Sequence, residues 1–160
     1  MQKRNIGFTI GKFAPLHKGH ELVIETALKE VDEMYVVIYD TDLINIDIKK
    51  RASWIKKLYP KVNIIYAFNS PKQYGLDNKS VEIQMKYLAN LIKGIPVTKF
   101  YSSEPYGKKV AEYLNIENRL VDIEKKVIPI SASKIRNNFL YNKKFIEDFV
   151  AKDMKKINYQ

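Results

Sequence analysis

The chain has 160 residues, 28 lysines and arginines against 18 aspartates and glutamates, a formal charge of +10, and no cysteine. Its length fits one compact domain, and the missing thiols exclude a disulfide scaffold, a cysteine-ligated zinc site, an iron–sulfur cluster and a thiol nucleophile. No apolar run reaches the ~18 residues of a membrane helix, and the basic start Met1-Gln2-Lys3-Arg4 lacks a signal-peptide core, so a cytoplasmic protein is expected.

Apolar runs alternate with helical patterns along the chain. Ile6–Ile10 reads as a short strand stopped by Gly11, and His20–Glu30 as a helix with Leu22, Val23, Ala27 and Leu28 on one stripe. Met34–Tyr39 is a second strand, ending in Asp40-Thr41-Asp42. A helix over Asp47–Tyr59 is capped by Asp47 and ended by Pro60. Val62–Phe68 is the third strand, and Asn69–Asn78 the longest loop. Ser80–Lys93 is a helix with Gly94 as its stop. A fourth strand over Val97–Tyr101, a helix over Tyr106–Leu114 and a weaker fifth strand at Leu120–Ile123 follow. Helical stretches at Ser131–Phe139 and Lys143–Lys155 close the chain.

Strands apolar on both faces, alternating with helices, predict a parallel sheet covered on both sides. The expected fold is α/β: a doubly wound, Rossmann-like, parallel five-stranded sheet with helices on both faces, plus short C-terminal helices. One domain over residues 1–160 is expected, with its C-terminal helical segment at about 131–155.

Ligands of open parallel sheets bind beyond the carboxyl ends of the strands. The first such end is Gly11-Lys12-Phe13-Ala14-Pro15-Leu16-His17-Lys18-Gly19-His20, which holds both histidines of the chain. Two imidazoles three residues apart at a helix start, beside a fixed lysine charge, suit an anion. Neither G-x-x-x-x-G-K-[ST] nor G-x-G-x-x-G occurs, which argues against a P-loop kinase and a dinucleotide-binding dehydrogenase. No third histidine or helical carboxylate at ligand spacing completes a zinc site, so no protein-bound metal is expected. The second constellation, Ile130-Ser131-Ala132-Ser133-Lys134-Ile135-Arg136, sets two hydroxyls and a guanidinium at another helix start. Alone it reads as an ordinary N-cap.

Together the two segments resemble the H-x-G-H signature and the companion I-S-x-[ST]-x-x-R of the nucleotidylyltransferase superfamily. The chain resembles the nicotinamide-mononucleotide (NMN) adenylyltransferase domain of bifunctional NAD-biosynthesis regulators. Arg51-Ala52-Ser53-Trp54, Ala67-Phe68-Asn69, Ser102-Ser103-Glu104 and Phe145-Ile146…Phe149-Val150 fall in similar order. The resemblance covers about Ile6 to Val150. It implies attack of a substrate phosphate on the α-phosphorus of ATP, with release of pyrophosphate and Mg2+ carried on the ATP phosphates.

By the family pattern, His17, His20, Lys12 and Arg136 are the catalytic set, with the histidines stabilising charge at the α-phosphorus. Ser131, Ser133 and Arg136 grip the departing phosphates. Gly11, Phe13 and Gly19 shape the nucleotide site, and the backbone at Ser102, Ser103 and Glu104 lines the adenosine pocket. The acceptor is expected at Asp40, Asp42, Arg51 and Trp54, with Arg51 taking its phosphate and Trp54 stacking on a pyridine ring. The other reading of Trp54 is a core aromatic at helical spacing with Ile55 and Leu58. Where relatives carry tryptophans in the stretch matching Asp77–Met85, this chain has Val81-Glu82-Ile83-Gln84.

Three functions therefore compete: an NMN adenylyltransferase; a related enzyme using CTP or another phosphate acceptor; and a non-catalytic pyridine-nucleotide sensor. The +10 also raises nucleic acid as a partner, but 24 of the 28 cations are lysines spread along the chain. Arginine is preferred for bidentate phosphate and base readout, so ATP and an acceptor phosphate are the expected partners, with no membrane. A homo-oligomer is compatible with the sequence.

Overall fold

The computed structural model describes residues 3–72 and 75–159; Met1, Gln2, Gln160 and, within the expected loop, Gln73 and Tyr74 lie outside the described residues. Five parallel strands, β1 (Ile6–Gly11), β2 (Glu33–Tyr39), β3 (Asn63–Ala67), β4 (Lys99–Ser102) and β5 (Glu117–Leu120), form one sheet in the order β3-β2-β1-β4-β5. The helices are α1 (Lys18–Glu30), α2 (Ile48–Leu58), α3 (Asn78–Leu91), α4 (Gly107–Leu114), α5 (Ala132–Asn137), α6 (Phe139–Asn142) and α7 (Asp148–Lys156).

Alternation along the strands divides the core into two layers. Val36 and Ile38 face Ile24, Trp54, Ile55, Ile135 and Met154, so α1, α2, α5 and α7 cover one side. Phe8, Val37 and Phe100 face Met85, Leu88 and Val110, so α3 and α4 cover the other. Both faces are dry, which is why the central strands carry continuous apolar runs. The winding reverses between β1 and β4, and that switch point opens a crevice at their carboxyl ends.

Three elements differ from the sequence expectation. The fifth strand is Glu117–Leu120 rather than Leu120–Ile123. Being the sheet edge, it needs pairing on one side only and tolerates polar residues. Val121 adds one more bond, donating to the Ser102 carbonyl at 2.8 Å, before Asp122 turns the chain away with φ 50°. The last helical stretch, expected over Lys143–Lys155, is broken into a 3-10 turn (Lys143–Phe145) and α7, and the short α6 precedes it. The Asn142 amide donates to the Lys134 and Asn138 carbonyls and ties the break to α5. Finally, Asp47 stands at the N-cap of α2 but makes no side-chain capping bond. Among the described residues, no helix is long and apolar enough to cross a membrane.

Candidate active site

The segment leaving β1 is bent by Phe13, whose φ is 49°, before Leu16 anchors it in the core. It then delivers His17 to the N-cap of α1. His17 Nδ1 accepts from the backbone N–H groups of Gly19 (3.0 Å) and His20 (3.3 Å), and His20 Nδ1 accepts from the backbone N–H of His17 (3.2 Å). The two imidazoles thus form a reciprocal capping box, the part usually played by a hydroxyl and a carboxylate.

This geometry fixes their chemistry. A ring nitrogen that accepts carries no proton, so each neutral ring holds its hydrogen on Nε2. Burial, and then the charge of Lys125, lowers the His17 pKa to about 3. Burial also depresses His20, with His17 and Lys125 adding to it. Both rings are uncharged donors at neutral pH and stack with centroids 3.7 Å apart. Gly19 makes the stack fit, because a Cβ there would lie 2.8 Å from His17 Cε1 and 3.0 Å from Nδ1.

Two cavities meet at this point. The larger, of about 540 Å³, is lined by Lys12, Ser133 and Arg136 together with Tyr39, Met85 and Tyr87. The smaller, of about 200 Å³, is lined by His17, Ser102, Ser103, Glu104 and Lys125. Gly11, Phe13, His20 and Ser131 border both. Ser131 caps α5, accepting from the Lys134 N–H at 3.3 Å, and lies 3.2 Å from the Ser133 hydroxyl. Arg136 donates to the Ala14 carbonyl at 2.7 Å, which ties α5 to the segment after β1. Burial and the nearby Arg136 charge lower the Lys12 pKa. Two helix starts, two neutral imidazole donors and the cations Lys12, Lys109, Lys125 and Arg136 thus converge on one crevice, an arrangement suited to a polyanion. Among the described residues, no group of three or more His, Asp or Glu stands together as a metal site.

The residues expected to hold the acceptor do not join this crevice. Arg51 is 1% exposed. Its Nε donates to the Ile46 carbonyl at 3.0 Å, and Nη1 donates to the carbonyls of Tyr39 (3.1 Å) and Lys12. It is a brace under the segment after β1 and presents no face to a ligand. Trp54 is buried in the core, with Nε1 donating to Asp153 at 2.8 Å, and so fastens α2 to α7. Asp40 accepts from the Asn69 N–H (2.9 Å) and the Ser70 hydroxyl (2.8 Å), pinning the loop after β3. Asp42 is exposed, and neither aspartate lines either of these two cavities, although the charges of both reach Lys12.

A family model described as cytidylyltransferase-like matches residues 8–138, which include both motifs. The chain belongs to the cytidylyltransferase-like family. Among curated proteins it is 32% identical over 156 residues to the trifunctional NAD biosynthesis/regulator protein NadR of Escherichia coli (strain K12), a match covering 86% of this chain and 37% of that protein. It is 27% identical to the phosphopantetheine adenylyltransferase of Fusobacterium nucleatum, covering 93% of each. Among solved structures, NadR in complex with NAD and AMP-PNP superposes with a TM-score of 0.62 at 20% identity, over 90% of this chain and 45% of that one. The chain thus spans less than half the length of the NadR proteins it resembles, and the last likeness concerns the fold. With the family comes the enzyme class, a nucleotidyltransferase.

The crevice of this cytidylyltransferase-like chain also holds residues that sequence reasoning passed over. Tyr39, Tyr87 and Tyr106 line the larger cavity, and Lys125 the smaller. The tyrosines sit in strand and helix patterns that read as core. Lys125 sits in a Lys-Lys pair indistinguishable from solvated surface. Its only advance signal was the preceding Asp122, a residue type prone to capping its own turn.

Proposed function

We propose that the chain is an adenylyltransferase that joins AMP from ATP to NMN, forming NAD and pyrophosphate. The observation that carries this reading is the pair of tautomer-locked histidines, His17 in the smaller cavity and His20 at the border of both. In support of it, one cavity is lined by Ser102, Ser103 and Glu104, to which we assign the adenosine and the phosphate next to it, and the other by Lys12, Ser133 and Arg136, to which we assign the remaining phosphates.

In this reading an oxygen of the NMN phosphate attacks the α-phosphorus of ATP. A phosphorus–oxygen bond forms as the bond to the β-bridging oxygen breaks, and pyrophosphate leaves with the electron pair. The attacking phosphate is already an anion at neutral pH, so no side chain needs to remove a proton. The work left to the protein is positioning and charge stabilisation. The Nε2–H groups of His17 and His20 donate to the oxygens of the crowded α-phosphorus, without proton transfer. Lys12 and Arg136 neutralise the phosphates on either side, and the hydroxyls of Ser131 and Ser133 hold the departing pair. Mg2+ enters on the ATP phosphates as part of the substrate, where it offsets their charge.

A second acceptor is favoured by one observation. The larger cavity is walled by Leu43, Leu76, Val81 and Met85, which suit the gem-dimethyl and methylene groups of an extended arm such as that of 4′-phosphopantetheine, the substrate class in the name of the Fusobacterium relative. Pyrophosphate release should be measured with ATP or CTP against NMN, nicotinate mononucleotide and 4′-phosphopantetheine. Turnover with ATP and NMN well above the other pairs supports the proposal; turnover only with phosphopantetheine reassigns the acceptor. A protein that binds NMN without any turnover is a sensor.

A further inference from the structure

The smaller cavity contains a cation that the proposed reaction does not yet use. Lys125 lies on the loop after β5, and β4 separates that strand from β1, so the loop arches over the end of β4 to face the start of α1. One carboxylate organises it. Asp122 Oδ1 accepts from the N–H groups of Lys126 (2.8 Å) and Val127 (3.0 Å), and Oδ2 accepts from that of Ile128 (2.9 Å). The backbone N–H of Lys125 donates to the Asp122 carbonyl at 2.8 Å, and Lys125 itself takes the left-handed conformation, φ 54°. A four-bond turn around a strained residue aims this side chain at the cavity.

There its Nζ donates to the Ser103 hydroxyl at 3.2 Å and to Glu104 Oε1 at 3.3 Å. The Glu104 side chain is 48% exposed and that of Lys125 32%, so the pair is bathed in water and held weakly. Its charge nevertheless reaches both imidazoles, lowering their pKa values. Among the described residues Lys125 is the lone lysine or arginine lining this cavity, because His17 and His20 are neutral and Lys12 and Arg136 line the other. A phosphate on the smaller-cavity side of the histidines would therefore meet Lys125, held there by a weak and replaceable partner.

We propose that Lys125 is a phosphate ligand of the nucleotide, resting on Ser103 and Glu104 in the free protein and passing to a phosphate oxygen when ATP fills the smaller cavity. Glu104 is then its competitor: it holds the lysine ready and is left to turn into solvent. This assignment rests on the proposed use of ATP. It differs from a structural latch in one respect, because removal of Glu104 should strengthen nucleotide binding.

The test is calorimetric titration of the whole chain with MgATP and with adenosine, for the wild type, Lys125→Met, Lys125→Arg and Glu104→Gln. All three variants keep the backbone geometry of a non-glycine residue, and equal melting temperatures would verify their folding. Lys125→Met should weaken ATP about tenfold, the loss of one charge-assisted hydrogen bond, while adenosine affinity stays within about twofold. Lys125→Arg should recover most of the loss, and Glu104→Gln should bind ATP more tightly than wild type. Unchanged ATP affinity in Lys125→Met, equal losses for ATP and adenosine, or weaker ATP binding by Glu104→Gln each overturn the assignment. A wild-type chain that binds no nucleoside triphosphate overturns the proposed function itself, a different result from wild-type binding that Lys125→Met leaves intact.

Discussion

At the scale of the residue, the site depends on atoms that accept rather than on groups that titrate. His17 and His20 spend their Nδ1 atoms on the helix cap, so each must stay neutral for the cap to hold. Gly19→Ala should expose this dependence, since the new Cβ meets the His17 ring at 2.8 Å. Displacing the imidazole should lower turnover on the order of 100-fold, as ångström-scale misplacement does. Stability should fall by only about 1 kcal/mol, the worth of a cap. Steady-state kinetics beside chemical denaturation separates the two. The pKa shifts give opposite pH trends. His17 is lowered from 6.5 to about 3, so its stabilising contribution is full above 6.5 and drains away as pH falls toward 3. Glu21 is raised from 4.5 to about 7 by burial, and then by the hydrogen bond and charge of Glu147. Its contribution is full below 4.5 and is lost as pH rises to about 7. Denaturation midpoints across pH 4 to 8 should therefore flatten on the acid side in His17→Asn, which keeps a capping acceptor, and on the neutral side in Glu21→Gln.

At the scale of the element, α2 shows how a surface pattern can conceal a structural part. Arg51 and Trp54 lie three residues apart at the start of a lysine-rich helix, and by sequence they suit a phosphate and a ring. The fold points both inward, where Arg51 donates to the three carbonyls of Lys12, Tyr39 and Ile46. Arg51→Met should cost on the order of 3–5 kcal/mol, since buried acceptors lose their partner. Arg51→Lys should recover little of it, because one ammonium cannot span a fork of three acceptors. The KM for the acceptor should stay unchanged in whatever fraction folds; a selective rise in KM at wild-type stability would return Arg51 to the acceptor site. The elements themselves were mostly legible. β1 and β2 are carried by continuous apolar runs and the helices by their stripes, whereas β5 was displaced by three residues because an edge strand keeps few apolar residues to betray it.

At the scale of the whole molecule, the charge of +10 acts as a field around a crevice lined by few cations. Steering of a polyanion by such a field weakens with salt. The kcat/KM for ATP should accordingly fall several-fold between about 0.05 and 0.5 M salt while kcat changes little. Duplex or RNA binding should be weak and without sequence preference, and tight sequence-selective binding at physiological salt would contradict this view of the charge. ATP bound at 100 times its Kd should stabilise the chain by about 2.7 kcal/mol, visible as a shift in thermal unfolding.

The sequence by itself determined the sheet, its two apolar faces and the two helix starts that meet the crevice, because these rest on local periodicity and on short motifs whose spacing is covalent. It also named the histidines, though not their tautomer. The tertiary structure alone decided which side chains face the crevice. Arg51, Trp54 and Asp40 are spent on carbonyls, a carboxylate and a loop contributed by distant segments, and Lys125 is brought beside α1 by a loop that crosses the end of another strand. Such pairings close over tens of residues and leave no period in the chain. An arginine that braces and an arginine that binds look alike until the carbonyls around them are in place.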